Sequence, residues 1–209
     1  MLFNSAIFIF AFLPLVILGY RGLLGVGLVS IAKLWLVAAS LYFYAYWKLE
    51  YLPILLVSIV LNYLIGKQIS RHDEGAGWVG SKGLLVVGLA FNLGLLGYFK
   101  YTGFLLGIVA ALGGGDLSFE ALVLPLAISF FTFQQIAYLV DCHRDKASEY
   151  RFINYCVFVS FFPQLIAGPI VHHSQMMPQF EALSSGQGMS HASPMALQGL
   201  VIFSIGLFK

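Results

Sequence analysis

The sequence has few charged residues and few cysteines. Asp, Glu, Lys and Arg make up 10% of its 209 residues, against about 25% in soluble domains. The net charge of +2 excludes a nucleic-acid binder that depends on a basic surface. Two cysteines, Cys142 and Cys156, are too few for a disulfide framework and fit no zinc-site spacing. Hydrophobic residues make up 60%, which excludes a disordered chain.

The apolar excess predicts a membrane protein, because a soluble fold of this size cannot bury so much apolar surface. At roughly 20 residues per span, the length allows six or seven membrane spans. We therefore predict an all-α polytopic membrane protein with about six complete transmembrane helices and a truncated seventh. The predicted spans are Met1–Tyr20, Leu23–Trp47, Tyr51–Gly66, Gly83–Phe99, Ala121–Val140, Phe152–Val171 and Ala192–Phe208. We interpret Tyr101–Leu112 as the tail of the fourth span plus an interfacial helix, with a hairpin of two short helices as the alternative.

Basic residues are distributed unevenly between alternate loops. One set of loops holds seven, namely Arg21, Lys67, Arg71, Lys82, Arg144, Lys146 and Arg151. The other set holds two, Lys48 and Lys100. The positive-inside rule makes the richer set cytoplasmic, which predicts an N-terminus outside the cell membrane.

Several polar residues fall inside the predicted spans. Lys33 is charged, and a charge at membrane depth costs roughly 2.5–3.5 kcal/mol on insertion scales. It either faces a substrate path, snorkels to the interface, or lies at an interface because its helix begins later than predicted. Asn62 and Asn92 are interpreted as hydrogen-bonding partners between helices.

One face of the predicted fifth span is also polar. Ser129, Thr132, Gln135 and Tyr138 recur every three residues and share a helical face, with Gln134 beside them. This face either forms hydrogen bonds between helices, worth about 0.6 kcal/mol per contact, or lines a polar cavity.

The histidines do not form a recognisable catalytic or metal motif. His172 and His173 follow Gly168-Pro169, but adjacent residues on a helix diverge by about 100° and do not easily bind one ion. We interpret them as interfacial loop residues and His143 as solvated. The sequence has no G-x-S-x-G, H-E-x-x-H, P-loop or G-x-G-x-x-G pattern. No metal site is predicted.

Five ordered segments carry a family resemblance that covers nearly the whole chain. They are MLFNSAIFIFAFLPL (1–15), SLYFYAYW (40–47), NLGLLGYFKYTGF (92–104), PLAISFFTFQQIAYLVDCHRD (125–145) and FFPQLIAGPIVHHSQMMPQF (161–180). Together they resemble the N-terminal half of the membrane-bound O-acyltransferase family, and most of all its bacterial alginate O-acetyltransferase branch.

The resemblance implies that residues 1–209 are the N-terminal part of one larger membrane domain. Family members are more than twice as long, and their catalytic histidine lies in the C-terminal half, after the position of Lys209. None of His72, His143, His172, His173 or His191 matches that histidine, so no catalytic residue is carried over. The chain alone is expected to be inactive.

The resemblance further implies acyl transfer, most simply of acetyl, to hydroxyls of an exported polysaccharide such as alginate, at the bacterial inner membrane. No bound cofactor is expected. The acyl donor is open and includes acetyl-CoA or an acyl carrier. Expected partners are the lipid bilayer, the polysaccharide acceptor, and periplasmic or membrane proteins of an acetylation system, but not nucleic acid. The alternatives are transfer of D-alanyl or another acyl group to a cell-envelope polymer, or a non-enzymatic scaffold or transport subunit.

The resemblance implies a fold with a pore or funnel through the bilayer, and irregular backbone at that depth is tolerated only where it is buried or lines a cavity. We interpret Pro163 and Gly168-Pro169 as breaks in the sixth span, and we expect Gln134, Gln135 and the Pro163–Pro169 segment to pack near the funnel wall. The candidate cavity-lining residues are Lys33, Gln134, Gln135, Gly168, Pro169, His172 and His173.

Overall fold

The chain is helical throughout the part that its computed structural model describes, which is residues 3–71, 80–112, 124–144, 151–168, 173–184 and 192–207. No β-strand occurs within these ranges. A π-helical turn, Phe8–Phe12, leads into α1 (Leu13–Gly25), and a 3-10 turn, Leu49–Tyr51, precedes α3. The remaining helices are α2 (Val29–Ala45), α3 (Leu52–Arg71), α4 (Ser81–Ala111), α5 (Ile128–His143), α6 (Phe152–Ser160), α7 (Phe162–Ala167), α8 (His173–Ser184) and α9 (Ala192–Leu207).

Three of the described helical segments are long and apolar enough to cross a membrane. They are Phe8–Gly25, Leu49–Arg71 and Ser81–Val109, while α2 is apolar but only 17 residues long. A span needs about 20 residues when it runs straight across the hydrocarbon core. The structure thus confirms the all-helical membrane-type fold. The predicted count of six spans and a truncated seventh stays a prediction.

The predicted helix bounds are close for several spans and wrong for the fourth. Its apolar continuation is neither a separate interfacial helix nor a hairpin, because Ser81–Ala111 forms one helix of 31 residues. Lys100 does not interrupt it, since an exposed charged side chain leaves backbone hydrogen bonding intact. The first helix also runs past Arg21 to Gly25.

The sixth predicted span is not one helix. Phe161 has φ −52° and ψ 106°, which is outside the helical region, and it separates α6 from α7. Pro163 explains where α7 begins, because a residue without an N–H is tolerated in the first turn of a helix. A further helix, α8, follows where only a loop was expected, and His173 is its first residue.

Contacts define the direction in which neighbouring helices run. Phe8 and Phe12, before α1, pack on Phe43 and Tyr42 near the end of α2, so these two helices are antiparallel. The start of α2 contacts the start of α6, and its middle contacts the start of α7, so α2 runs parallel to the α6–α7 segment.

A second group contains α3, α4 and α5. Ser58 pairs with Gln135, and Gly66, further along α3, lies against Tyr138, further along α5, so these two helices are parallel. Helix α4 runs opposite to both, because its first residue, Ser81, contacts His143 at the end of α5. Within each of the two groups, the helix directions agree with helices that alternate in direction along the chain.

Aromatic side chains fill the core in two clusters. One joins Phe8, Phe12, Phe43 and Phe162, with ring centroids 5.3–6.0 Å apart. The other joins Tyr63, Tyr138, Tyr155 and Phe158 at 4.5–6.5 Å. Tilted and edge-on ring pairs at these distances stabilise packing by about 0.5–1.5 kcal/mol each beyond their buried area.

The close contact between α3 and α5 leads to a stability prediction. A Cβ at Gly66 would lie 2.5 Å from Cε1 of the buried Tyr138 ring. Gly66→Ala is therefore expected to lower the unfolding free energy by about 1–3 kcal/mol through overpacking. Thermal unfolding in detergent measures the effect. Gly94→Ala is the control, because its Cβ meets nothing within 4 Å, and an equal loss in both variants would contradict the close-packing argument.

Candidate functional site: a broken helix held by buried polar side chains

The break at Phe161 separates a backbone donor from the acceptor it would have in a continuous helix. In an α-helix the N–H of Phe162 would bond to the C=O of Phe158, four residues earlier. Instead, the Phe162 N–H donates to Ser40 Oγ at 3.2 Å, and the Phe158 C=O accepts from Gln134 Nε2 at 2.7 Å. One lost backbone bond is thus replaced by two bonds from other helices.

Ser40 and Gln134 are well placed for these roles. Ser40 lies in the middle of α2 and is buried, and its own hydroxyl donates to the Leu36 C=O at 2.7 Å, which leaves its oxygen free to accept. Gln134 is buried on α5. A hydroxyl and an amide do not gain or lose a proton near neutral pH, so these side chains fix the backbone. Sequence reasoning missed Ser40, although a lone serine within an apolar helix is a usable signal.

The far end of α7 is shaped by Gly168. A Cβ at this position would lie 2.6 Å from the Gln164 Cα, which leaves no space for a side chain. Gly168 has extended backbone, with φ −83° and ψ 156°, and its N–H still bonds to the Gln164 C=O at 3.0 Å. Of the other predicted residues here, Pro169 and His172 lie outside the described residues.

Gln135, next to Gln134, joins a different set of helices. Its Oε1 accepts from Ser58 Oγ at 2.6 Å and from Asn62 Nδ2 at 2.5 Å. Asn92 Nδ2 on α4 donates to Asn62 Oδ1 at 2.6 Å. All four side chains are fully buried. The interpretation of Asn62 and Asn92 as partners between helices is confirmed, and Gln135 is placed between helices too. These four residues are called the amide cluster below.

Lys33 is buried among helices, and its helix begins at Val29, later than the predicted Leu23, as one of the alternatives expected. Only 6% of its surface is exposed, and Nζ donates to Asn154 Oδ1 at 2.8 Å. Because α2 begins at Val29, Lys33 lies in its second turn. A buried ammonium is stabilised only when it is paired or hydrogen-bonded. The Asn154 side-chain oxygen accepts one such hydrogen bond from Lys33. Lys33 contacts the start of α6, whereas Ser40 contacts the start of α7.

His143 is not simply solvated. It is half-buried at the end of α5, and its Nδ1 lies 2.8 Å from Ser81 Oγ at the start of α4. Among the described residues, no three His, Cys, Asp or Glu side chains come together as metal ligands would.

A half-open apolar cavity of about 490 Å³ lies beside the break. Side chains from α1, α2 and α8 line it together with the broken segment, among them Tyr20, Leu36, Phe162, Gln164 and Phe180. A second cavity of about 430 Å³ lies between α1 and α2. The broken segment therefore forms part of a cavity wall. The Gln134 side chain supports this segment by donating a hydrogen bond to the Phe158 C=O.

Comparison with known proteins finds relatives along the whole chain. It is 46% identical to a protein named peptidoglycan O-acetyltransferase from Helicobacter pylori, over 100% of this chain and 44% of that protein. It is 34% and 36% identical to proteins named probable alginate O-acetylase from Azotobacter vinelandii and Pseudomonas aeruginosa. Those two matches cover 86% of this chain and 36% and 34% of the relatives. The chain thus spans less than half the length of these relatives.

Two other comparisons found nothing. No family model matches the chain. No solved structure matches it either.

The helix break gives a prediction for Gln134. Gln134→Leu keeps the approximate size of the side chain but leaves the Phe158 C=O without this donor. A buried polar group that loses its partner costs about 1–3 kcal/mol, so the midpoint of thermal unfolding should fall. Gln198→Leu, on an exposed position of α9, is the control. Equal midpoints for the two variants would show that the Gln134 bond contributes nothing.

A second prediction concerns the Phe162 N–H, which donates to Ser40 at the break. Ser40→Ala removes the acceptor of the Phe162 N–H, so this amide is expected to exchange faster with deuterium. Ser70→Ala is the matched control, because Ser70 also bonds to the C=O four residues earlier but contacts no broken helix. Mass spectrometry of peptides that span the break measures the exchange. Unchanged exchange in Ser40→Ala would argue against the replacement bond.

Proposed function

Because the chain is homologous to O-acetyltransferases of the membrane-bound O-acyltransferase family, we propose that it is the N-terminal part of such an enzyme. The enzyme transfers an acyl group, most simply acetyl, to a hydroxyl of an exported cell-envelope polysaccharide. The observation that carries this proposal is the 46% identity, over the whole chain, to a protein named peptidoglycan O-acetyltransferase. Peptidoglycan is therefore the first candidate acceptor, and alginate is the second, favoured by the 34–36% identical relatives.

The chemistry needs a base and an activated acyl group. A sugar hydroxyl is a poor nucleophile near neutral pH, and a positioned base that takes its proton contributes about 10²–10⁴-fold. We propose that a histidine supplies this base from the part of the relatives' length that this chain does not span. The donor is an acyl thioester, such as acetyl-CoA or an acyl carrier. Periplasmic or membrane partner proteins take part in delivering the acyl group.

The described half contributes the wall of a funnel through the bilayer. Residues 162–168 line it, supported from behind by Ser40 and Gln134. Two observations support this assignment: the segment borders a cavity of about 490 Å³, and its irregular backbone is hydrogen-bonded by neighbouring helices. Irregular backbone at membrane depth is tolerated under just those conditions.

The enzyme lies in the bacterial inner membrane and crosses it several times, with its N-terminus outside. The proposed crossings are six complete spans and a seventh. The antiparallel packing of α1 on α2 and of α4 on α5 supports this arrangement, and so does the excess of basic residues in alternate loops.

Ester-linked acetate on peptidoglycan measures the proposed activity. The test strain lacks its own peptidoglycan O-acetyltransferase. It receives either this chain alone or this chain joined to the part of the Helicobacter pylori relative that the chain does not cover. The chain alone is expected to add no acetate, and the joined protein is expected to restore it. The intact relative is the positive control.

Each other outcome has a definite meaning. Acetate from the chain alone would refute the proposal that the base lies outside this chain. A joined protein that is inserted and stable but adds acetate to alginate instead would favour the second acceptor. A joined protein that acylates neither polymer would argue against O-acetyl transfer altogether.

The proposed orientation is tested with fusions that end at successive loops. Alkaline phosphatase is active only outside the cytoplasm, and green fluorescent protein folds well only inside it. Fusions after Trp47 and after Leu112 are expected to show phosphatase activity, and fusions after Arg71 and after Arg144 are expected to fluoresce. The reverse pattern would overturn the orientation, and a uniform pattern would overturn the multi-pass arrangement.

A further inference from the structure

The amide oxygen of Gln135 accepts two hydrogen bonds, whereas its amide nitrogen donates none among the described residues. Its side chain is fully buried, and Oε1 accepts from both Ser58 and Asn62. In the part of the chain that the structure describes, nothing accepts a hydrogen bond from Nε2. A buried N–H without a partner costs about 1–3 kcal/mol, so an unused amide nitrogen in a packed core calls for a ligand.

A second polar atom lies one turn away on the same side of α5. Thr132 is fully buried, and its Oγ1 is likewise without a protein partner among the described residues. Residues three apart on a helix have their Cβ atoms about 5–6 Å apart. The two side chains are therefore neighbours on α5, and one small ligand can reach both polar atoms.

One series of hydrogen bonds through the amide cluster ends at Gln135, while Asn62 Nδ2 also donates back to Asn92 Oδ1 at 3.3 Å. Asn92 donates to Asn62, and Asn62 donates to Gln135, so the polarisation ends at the Gln135 amide nitrogen. Hydrogen bonds in series strengthen one another in a low-dielectric interior. The end of this series is therefore a strengthened donor that needs an oxygen acceptor.

We propose that one water molecule binds here, with its oxygen accepting from Gln135 Nε2 and one of its O–H groups donating to Thr132 Oγ1. Water fits because the two groups are neutral and fully buried, which disfavours both an ion and a larger molecule. Internal waters typically make about three hydrogen bonds to buried polar groups that lack protein partners. The inference concerns α3, α4 and α5 and does not depend on the proposed acyltransferase function.

Solid-state NMR of the chain in lipid bilayers tests the site. Magnetisation is transferred from water protons to the side-chain nitrogens of the ¹⁵N,¹³C-labelled chain, and sequential assignment identifies the Gln134 and Gln135 signals. Transfer to Gln135 Nε2 is expected. Gln134 is an internal reference in the same spectrum, because its Nε2 donates to the Phe158 C=O and is expected to show little or no transfer.

Two matched variants test the bridging partner. Thr132→Val has the same shape without the hydroxyl, and the water signal at Gln135 is expected to be lost. Thr132→Ser keeps the hydroxyl, and the signal is expected to remain. The proposal is overturned if Gln135 receives no more magnetisation than Gln134, if its Nε2 correlates with a protein carbonyl instead, or if Thr132→Val leaves the signal unchanged. The comparison of the two glutamines needs no variant to fold.

Discussion

The structure depends on one constraint, which is that buried backbone N–H and C=O groups must find partners where little water is present. Continuous helices meet this constraint by themselves, but the segment from Phe152 to Ala167 does not, because its helix is interrupted at Phe161. Two of the groups released there, the Phe162 N–H and the Phe158 C=O, are bonded by Ser40 and Gln134, which belong to two different helices. Helices α2 and α5 are thus positioned with respect to the broken segment by hydrogen bonds as well as by packing.

Polar side chains divide the helices into two groups. Ser40, Gln134, Lys33 and Asn154 connect α2 and α5 to the broken segment. The amide cluster connects α3, α4 and α5. Helix α5 belongs to both groups, and its neighbouring residues Gln134 and Gln135 reach in different directions. Apart from Lys33, the side chains that make these connections are neutral amides and hydroxyls, which cost less to bury than ions.

The sequence was sufficient for the helical class, the approximate positions of most helices and the break near Pro163. These depend on local properties, namely apolar runs and a residue without an N–H. The resemblance drawn from the five quoted segments is supported by relatives named O-acetyltransferase and probable alginate O-acetylase, one of which matches the whole chain. The sequence was not sufficient for the partners of Ser40, Lys33 and Gln134. Ser40 and Phe162 are 122 residues apart, and which groups meet depends on helix rotation and tilt, on which a periodic pattern carries no information. The first break was predicted at Pro163, and the structure has it two residues earlier, at Phe161, where the bonds of Ser40 and Gln134 are made.

The replacement of one backbone bond by two side-chain bonds has an evolutionary consequence. Ser40 and Gln134 bond to the two groups of the missing Phe162–Phe158 backbone bond, one as acceptor and the other as donor, so neither residue can substitute for the other. In a relative whose corresponding helix is continuous and has no proline, the N–H and C=O groups bond to each other. The side chains at the Ser40 and Gln134 positions then have no backbone group of this helix to bond. Ser40, Gln134 and Pro163 are therefore expected to be inherited, or lost, as a set, although they are widely separated along the chain.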